Sequence, residues 1–158
     1  MSDQSYTVTF VVGQTPAEVF AAVNNVRGWW SEDVHGPTDQ PGGVFHYRNG
    51  DLHRCTMKIV EFEPGEKVVW HCLQNHFGFT EDRTEWMDTR ISFDIAAEGE
   101  QTRLRFTHHG LVPDYECYDV CVNAWGGYIT ESLRNLIITG VGTPNNAARD
   151  AQALAQLG

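Results

Sequence analysis

The sequence predicts an α+β domain in which a curved antiparallel sheet is closed by a long C-terminal helix, with two short helices after the first strand. Three observations predict it. Helix signals follow directly on one alternating segment, and a series of alternating segments then runs on with only short turns between them. From Asp114 to about Gly140 the apolar spacing changes to three and four residues. A meander of strands cannot bury its concave face alone, so the helix supplies the cover.

The elements follow in order. "SYTVTFVV" (Ser5 to Val12) alternates and is rich in β-branched residues, the pattern of a strand. In "TPAEVFAAVNN", Thr15 is the N-cap, Pro16 takes the first helical position and Glu18 completes a capping box. Val19, Phe20 and Val23 form the apolar stripe of that helix. "VRGWWSEDV" reads as a second short helix and its exit, anchored by Trp29 and Trp30. Gly42-Gly43 breaks the chain, and Asn49-Gly50 between two alternating runs is a hairpin signal. Pro64-Gly65 marks the next turn, before "KVVWHCL". After Gln74 to Met87 come "TRISFDIAA" and "TRLRFTHH", joined at "EGEQ". About five antiparallel strands are therefore expected after the helices.

On the long helix Val122, Gly126, Ile129, Leu133, Ile137 and Gly140 share one face, and Gly140, Gly142 and Pro144 make a stop. Residues 1–144 read as a single domain and residues 145–158 as a polar tail with the makings of a short helix. The chain of 158 residues, 41% hydrophobic, suits one core.

Eleven basic against twenty-one acidic residues give a net charge of -10, which argues against nucleic acid or an anionic membrane as partner. No apolar run reaches the roughly 20 residues needed to cross a bilayer, and no apolar leader is read at the start. A cytoplasmic location is expected. Cys55, Cys72, Cys117 and Cys121 are scattered and read as reduced thiols acting as small apolar side chains.

"TPAEVFAAVNNVRGWW" resembles the N-terminal signature of the START-like (SRPBCC, helix-grip) superfamily. "GGVFHYRNGD", "KIVEFEPGEKVVW", "LRFTHHGL" and "AWGGYITESLRNLIITGVGTP" are similar to the subgroup named after the activator of heat-shock protein 90 ATPase. The resemblance runs over about residues 5 to 144. It implies a helix-grip fold with a deep cavity between sheet and helix, suited to a small hydrophobic or amphipathic ligand, lipid-like or polyketide-like.

The adjacent Gly126 and Gly127 bear on that cavity, since each costs a helix interior about 1 kcal/mol relative to alanine. Gly126 falls on the inward stripe, where a missing side chain leaves space over the sheet. Gly127 permits a bend or a close backbone approach. The alternative is that the pair accommodates a bulky neighbour such as Trp70, with no ligand.

Alternation sorts the lining. Leu104, Phe106 and His108 share one face, Ile91, Phe93 and Ile95 the matching one, and Met57 and Ile59 carry Cys55 and His53. In "VVWHCL" either Trp70 and Cys72 point inward, or Val69, His71 and Leu73 do. The strand candidates for ligand contact are Phe45, Tyr47, Met57, Trp70, His71, Phe93, Phe106 and His108. The segment after Leu73 adds Phe77, Phe79 and Trp86 at the entrance. The helix adds Tyr118, Val122, Trp125, Gly126 and Ile129. His108, His71 or Tyr118 would fix a polar end.

No CxxC or HExxH spacing is present, so neither metal nor cofactor is expected, although His53, Cys55, His71, Cys72 and His108 lie on neighbouring strands. No GxSxG occurs, and no catalytic residue is assigned. Three functions remain in play. The first is uptake of a small hydrophobic molecule. The second is regulation of a heat-shock ATPase as a co-chaperone. The third is a cyclase-like or hydrolase-like enzyme using His71 or His108 with Glu85 or Asp94. The edge strand Ser5 to Val12 offers a route to a homodimer.

Overall fold

Alternation in "SYTVTFVV" gives strand β1 (Ser5–Val12). The capping box then starts α1 (Pro16–Asn24). The Glu18 amide donates to Thr15 Oγ1 and the Thr15 amide to Glu18 Oε1, both at 3.1 Å. Caps of this kind contribute about 1 kcal/mol. Helix α2 (Val26–Trp29) follows, and six strands come next: β2 (Val34–His35), β3 (Val44–Asn49), β4 (His53–Glu63), β5 (Lys67–Phe77), β6 (Arg90–Glu98) and β7 (Gln101–His109). The computed structural model describes residues 5–49, 53–77, 86, 89–111 and 118–144.

The seven strands form one antiparallel sheet in the order β1-β7-β6-β5-β4-β3-β2. The strand beyond the expected number is β2, a two-residue edge strand that begins at Val34, the last residue of the segment read as the second helix and its exit. The β5 strand also runs on to Phe77, past the expected end at Leu73. The turn at Pro64-Gly65 closes with Glu66 N–H donating to the Glu63 carbonyl at 2.9 Å, and Gly65 takes the positive φ (76°) that the turn requires. The expected tail at residues 145–158, the loop residues Gly50 and Phe79, and Cys117 lie outside the described residues.

Two register shifts between β4 and β5 curve the sheet. At the first, Thr56 pairs with Gln74 but Met57 pairs with Cys72, so Leu73 is the extra residue. At the second, Ile59 pairs with Trp70 but Glu61 pairs with Val69, so Val60 is extra. Each extra residue flips the parity of its strand. Val68, Trp70 and Cys72 therefore face the core, and beyond the shift so does Asn75. Phe62 is turned back toward the core, where its ring meets Phe20 of α1 edge-on at 5.0 Å.

The covering helix is α3 (Tyr118–Gly127), a π-helical stretch (Tyr128–Leu133) and α4 (Arg134–Thr139). Gly140 ends it in the left-handed conformation, φ 86°, and its N–H donates to the Leu136 carbonyl. The buried stripe is Cys121, Trp125, Ile129, Ser132, Leu133 and Ile137. In α3 it runs one residue ahead of the expected Val122 and Gly126, and the wider π turn brings it back into phase by Ile129.

Candidate functional site

The space between sheet and helix is lined by aromatic rings. Trp29, Trp30, Trp70, Trp125, Phe45, Phe93 and Phe106 are almost wholly buried. Trp30 stacks face to face on Tyr47 with ring centres 4.1 Å apart, and lies 5.7 Å from Trp70 and 5.2 Å from Trp125. Phe106 meets Trp125 at 4.8 Å. Offset and edge-on contacts of this kind add about 0.5–1.5 kcal/mol per pair beyond area burial.

Trp86 belongs to no strand or helix, yet its ring lies in this gap. It stacks on Trp125 at 5.5 Å with the planes 12° apart, and meets His53 and His108 edge-on at 4.5 and 4.8 Å. These rings, with Trp30 and Tyr47, form an aromatic box at the β3–β4 side of the helix.

Two histidines enter the box. Trp125 Nε1–H donates to His108 Nδ1 at 3.0 Å, so the imidazole carries its proton on Nε2 and donates to Thr89 Oγ1 at 2.8 Å. Thr89 Oγ1–H in turn donates to the Trp86 carbonyl at 2.6 Å. Every polar atom of the His108 ring is thus engaged, and burial, with smaller contributions from His109 and His53, pushes its pKa down to about 3. His53 Nε2 donates to Asn75 Oδ1 at 2.6 Å. Burial lowers its pKa to about 4, with the Asn75 bond opposing and the charge of His76 adding to the shift. Both rings are neutral at pH 7. Cys55 and Cys72 are buried beside each other, and desolvation followed by the Cys72 contact raises the Cys55 thiol pKa. Among the described residues, no group of three or more His, Cys, Asp or Glu is arranged to hold a metal ion.

Of the residues selected from the sequence, Phe45, Tyr47, Met57, Trp70, Trp86, Phe93, Phe106, His108, Trp125 and Ile129 are buried in one cluster, with Tyr118 and Val122 half-buried against it. Phe77 lies opposite His53 in register, at the end of β5 rather than in a loop. Phe79 and Glu85 are outside the described residues.

Two expectations need correction. His71 does not face the core. It stands opposite Lys58 and Arg90 on the outward face, because β5 turns Trp70 and Cys72 inward. It therefore shares no site with His108. Asp94 is likewise outward, opposite Lys67, whose Nζ lies 3.9 Å from its carboxylate, so neither histidine meets it.

Gly126 lies beside the buried stripe rather than on it, and is half-buried. A Cβ at that position would point to the Tyr6 hydroxyl at 3.6 Å, toward the β1 edge, while the neighbouring Trp125 takes the inward position. Burial, and secondarily Tyr118, raises the pKa of Tyr6.

Residues absent from the selection but present in the box are Trp30, His53, Asn75 and Thr89. Parity had placed His53 inward. Asn75 lay beyond a bulge, which no local pattern announces.

Many solved structures share this fold, among them the three that follow. The Aha1 dimer from Colwellia psychrerythraea superposes with a TM-score of 0.68 at 24% identity, over 87% of this chain and 98% of that one. DynU16, described as a putative protein in the dynemicin biosynthetic locus, gives 0.65 at 16% identity, over 92% of this chain and 51% of that one. CalU16 from Micromonospora echinospora gives 0.61 at 17% identity, over 94% and 82%. No curated protein matches the sequence. The family described as "Activator of Hsp90 ATPase homolog 1-like protein" matches residues 14–137, and the chain belongs to that family within the START-like superfamily.

Proposed function

We propose that the protein binds a small, largely planar hydrophobic molecule between the sheet and the long helix, in the aromatic box of Trp30, Tyr47, Trp86 and Trp125. One observation carries this reading. Trp86 fills the gap as a guest ring would, stacked on Trp125 and bracketed by His53 and His108, while belonging to neither the sheet nor the helix. A ligand of similar shape takes its place against Trp125, and the polar edges of Tyr47 and His53 orient it. Fatty acids, sterols and polyketide-like aromatics are the classes to try.

The experiment is tryptophan fluorescence of the wild-type protein and of Trp86→Ala with each class and with indole. Trp86→Ala leaves an apolar hole of indole shape, which should bind indole, and wild type should respond to one ligand class by displacing the ring. Silence from every class in both proteins would remove the reading.

A second reading is favoured by the family match: docking on a heat-shock ATPase. Chaperone ATPase turnover unchanged by added protein would end it. Pairing of two copies through the free edge of β1 draws support from the dimeric C. psychrerythraea relative. Sedimentation at a single monomer mass across concentrations would count against it.

A further inference from the structure

The outward face of the sheet carries a second feature, on the strands that bear Tyr47 and Asn75 of the aromatic box. In register, Arg48 of β3 stands opposite Arg54 of β4, and Arg54 stands opposite His76 of β5. In the next outward row His35, His46, Thr56 and Gln74 follow one another across β2 to β5. Two arginines directly opposite on adjacent strands repel, and sheets ordinarily avoid the pairing. It occurs here in a chain with only eleven Lys and Arg against twenty-one acidic residues.

These residues ring a groove of about 560 Å³, within the size range of small-molecule sites. Tyr47, Cys55 and Asn75, the intervening residues of the same strands, complete its lining. Asp33 is the single carboxylate among the described lining residues, and His35 Nε2 holds it at 2.7 Å. His46 Nδ1 is engaged with Thr56 Oγ1 at 2.9 Å, which leaves Nε2 as the ring's other polar atom. His76 Nδ1 is buried without a hydrogen-bond partner among the described residues, and Arg54 beside it is exposed.

We propose that this groove binds a small phosphorylated molecule, its phosphate held between Arg48, Arg54 and the imidazole of His76. A guanidinium presents a rigid fork of N–H donors that matches phosphate oxygens, and one fork already satisfies a planar carboxylate. Two forks with imidazoles beside them match a tetrahedral dianion, whose charge also relieves the repulsion between the arginines. The net charge of -10 disfavours an extended polyanion, whose length would reach beyond the basic rows.

The test titrates the full-length protein with inorganic pyrophosphate, following thermal midpoint and calorimetric heat, with citrate as the carboxylate control. Saturable pyrophosphate binding is expected in wild type, with citrate at least tenfold weaker. Arg54→Ala and Arg48→Ala should each weaken it at least tenfold, while Arg103→Ala, on the same sheet face but beside Glu98, should bind as wild type does. Arg54→Ala removes an exposed side chain, so its unliganded midpoint should match or exceed that of wild type. Equal binding of citrate, equal loss in all three variants, or no saturable response would overturn the proposal. So would retention of a single-stranded oligonucleotide with pyrophosphate silent.

Discussion

Trp125 Nε1 donates to Nδ1 of His108, and that bond decides the proton chemistry of the core. An acceptor nitrogen cannot also carry a proton, so the ring is neutral, its single proton lies on Nε2, and Thr89 takes that proton's hydrogen bond. A general base needs a free nitrogen and a pKa near the working pH. His108 offers neither. It holds Trp86 over the sheet through Thr89.

Stability should therefore fall as pH drops below about 6.5. The folded pKa values of about 3 for His108 and about 4 for His53 lie below the 6.5 of an unfolded histidine. Between those values the unfolded chain binds more protons than the folded one, so acid favours unfolding. Each histidine can contribute a slope approaching about 1.4 kcal/mol per pH unit in that window and none above it. Urea melts at pH 7.5, 6.5, 5.5 and 4.5 should show near-constant stability between the first two and a steep decline after. A flat profile to pH 4.5 would contradict the buried neutral state of both rings.

Thr89→Val should cost about 1–3 kcal/mol. The hydroxyl accepts from His108 and donates to the Trp86 carbonyl, and valine has the same shape with neither capacity. The variant leaves a buried imidazole N–H without its acceptor. Chemical denaturation should show the loss, and near-ultraviolet circular dichroism should change as the Trp86 and Trp125 stack loosens. Thr89→Ser, which keeps the hydroxyl, should recover most of both.

The strands legible in the sequence are those whose apolar residues all lie on one face. In β7 Leu104, Phe106 and His108 alternate with exposed Arg103 and Arg105, and a period of two leaves no choice of face. In β5 Val68, Val69 and Trp70 are all buried, so the period disappears and the facing of His71 with it. The expected helix stripe is one residue out of phase in α3, because uniform α-helical spacing does not include the π-helical turn at Tyr128–Leu133. The arginine groove exists only through cross-strand register, which depends on the extra Leu73, and no single segment carries that information.

Gly126→Ala and Gly127→Ala should each stabilise the protein. The new methyl groups would sit 3.6 Å from the Tyr6 hydroxyl and 3.6 Å from the Glu131 carboxylate, which are ordinary contacts. The gain in helix propensity is up to about 1 kcal/mol each, or about 2–4 °C in thermal midpoint for a chain of this size. If the glycines opened space for a guest, Gly126→Ala would lower ligand affinity while raising the midpoint. Orientation toward Tyr6 predicts unchanged affinity. A drop in affinity with the first substitution alone would place the ligand against Gly126 and Tyr6 rather than in the box around Trp125.

Ser132→Ala should be among the more damaging small substitutions in the helix. Its buried hydroxyl donates to the Trp29 carbonyl at 2.7 Å and accepts from the Thr143 amide at 2.8 Å, tying α2, the long helix and the chain beyond Gly140 together. Removing it strands the buried Trp29 carbonyl and deprives the Thr143 amide of this acceptor, a loss of about 1–3 kcal/mol. Gly142 belongs to the same junction, since a Cβ there would strike the Gly28 carbonyl and crowd the Ser132 carbonyl at 3.0 Å. Gly142→Ala must push the returning chain away from α2 and lengthen the bond to Ser132. Hydrogen exchange at the Thr143 amide should accelerate in both variants. Slow exchange at that amide in Ser132→Ala would mean that its protection comes from something other than this hydroxyl.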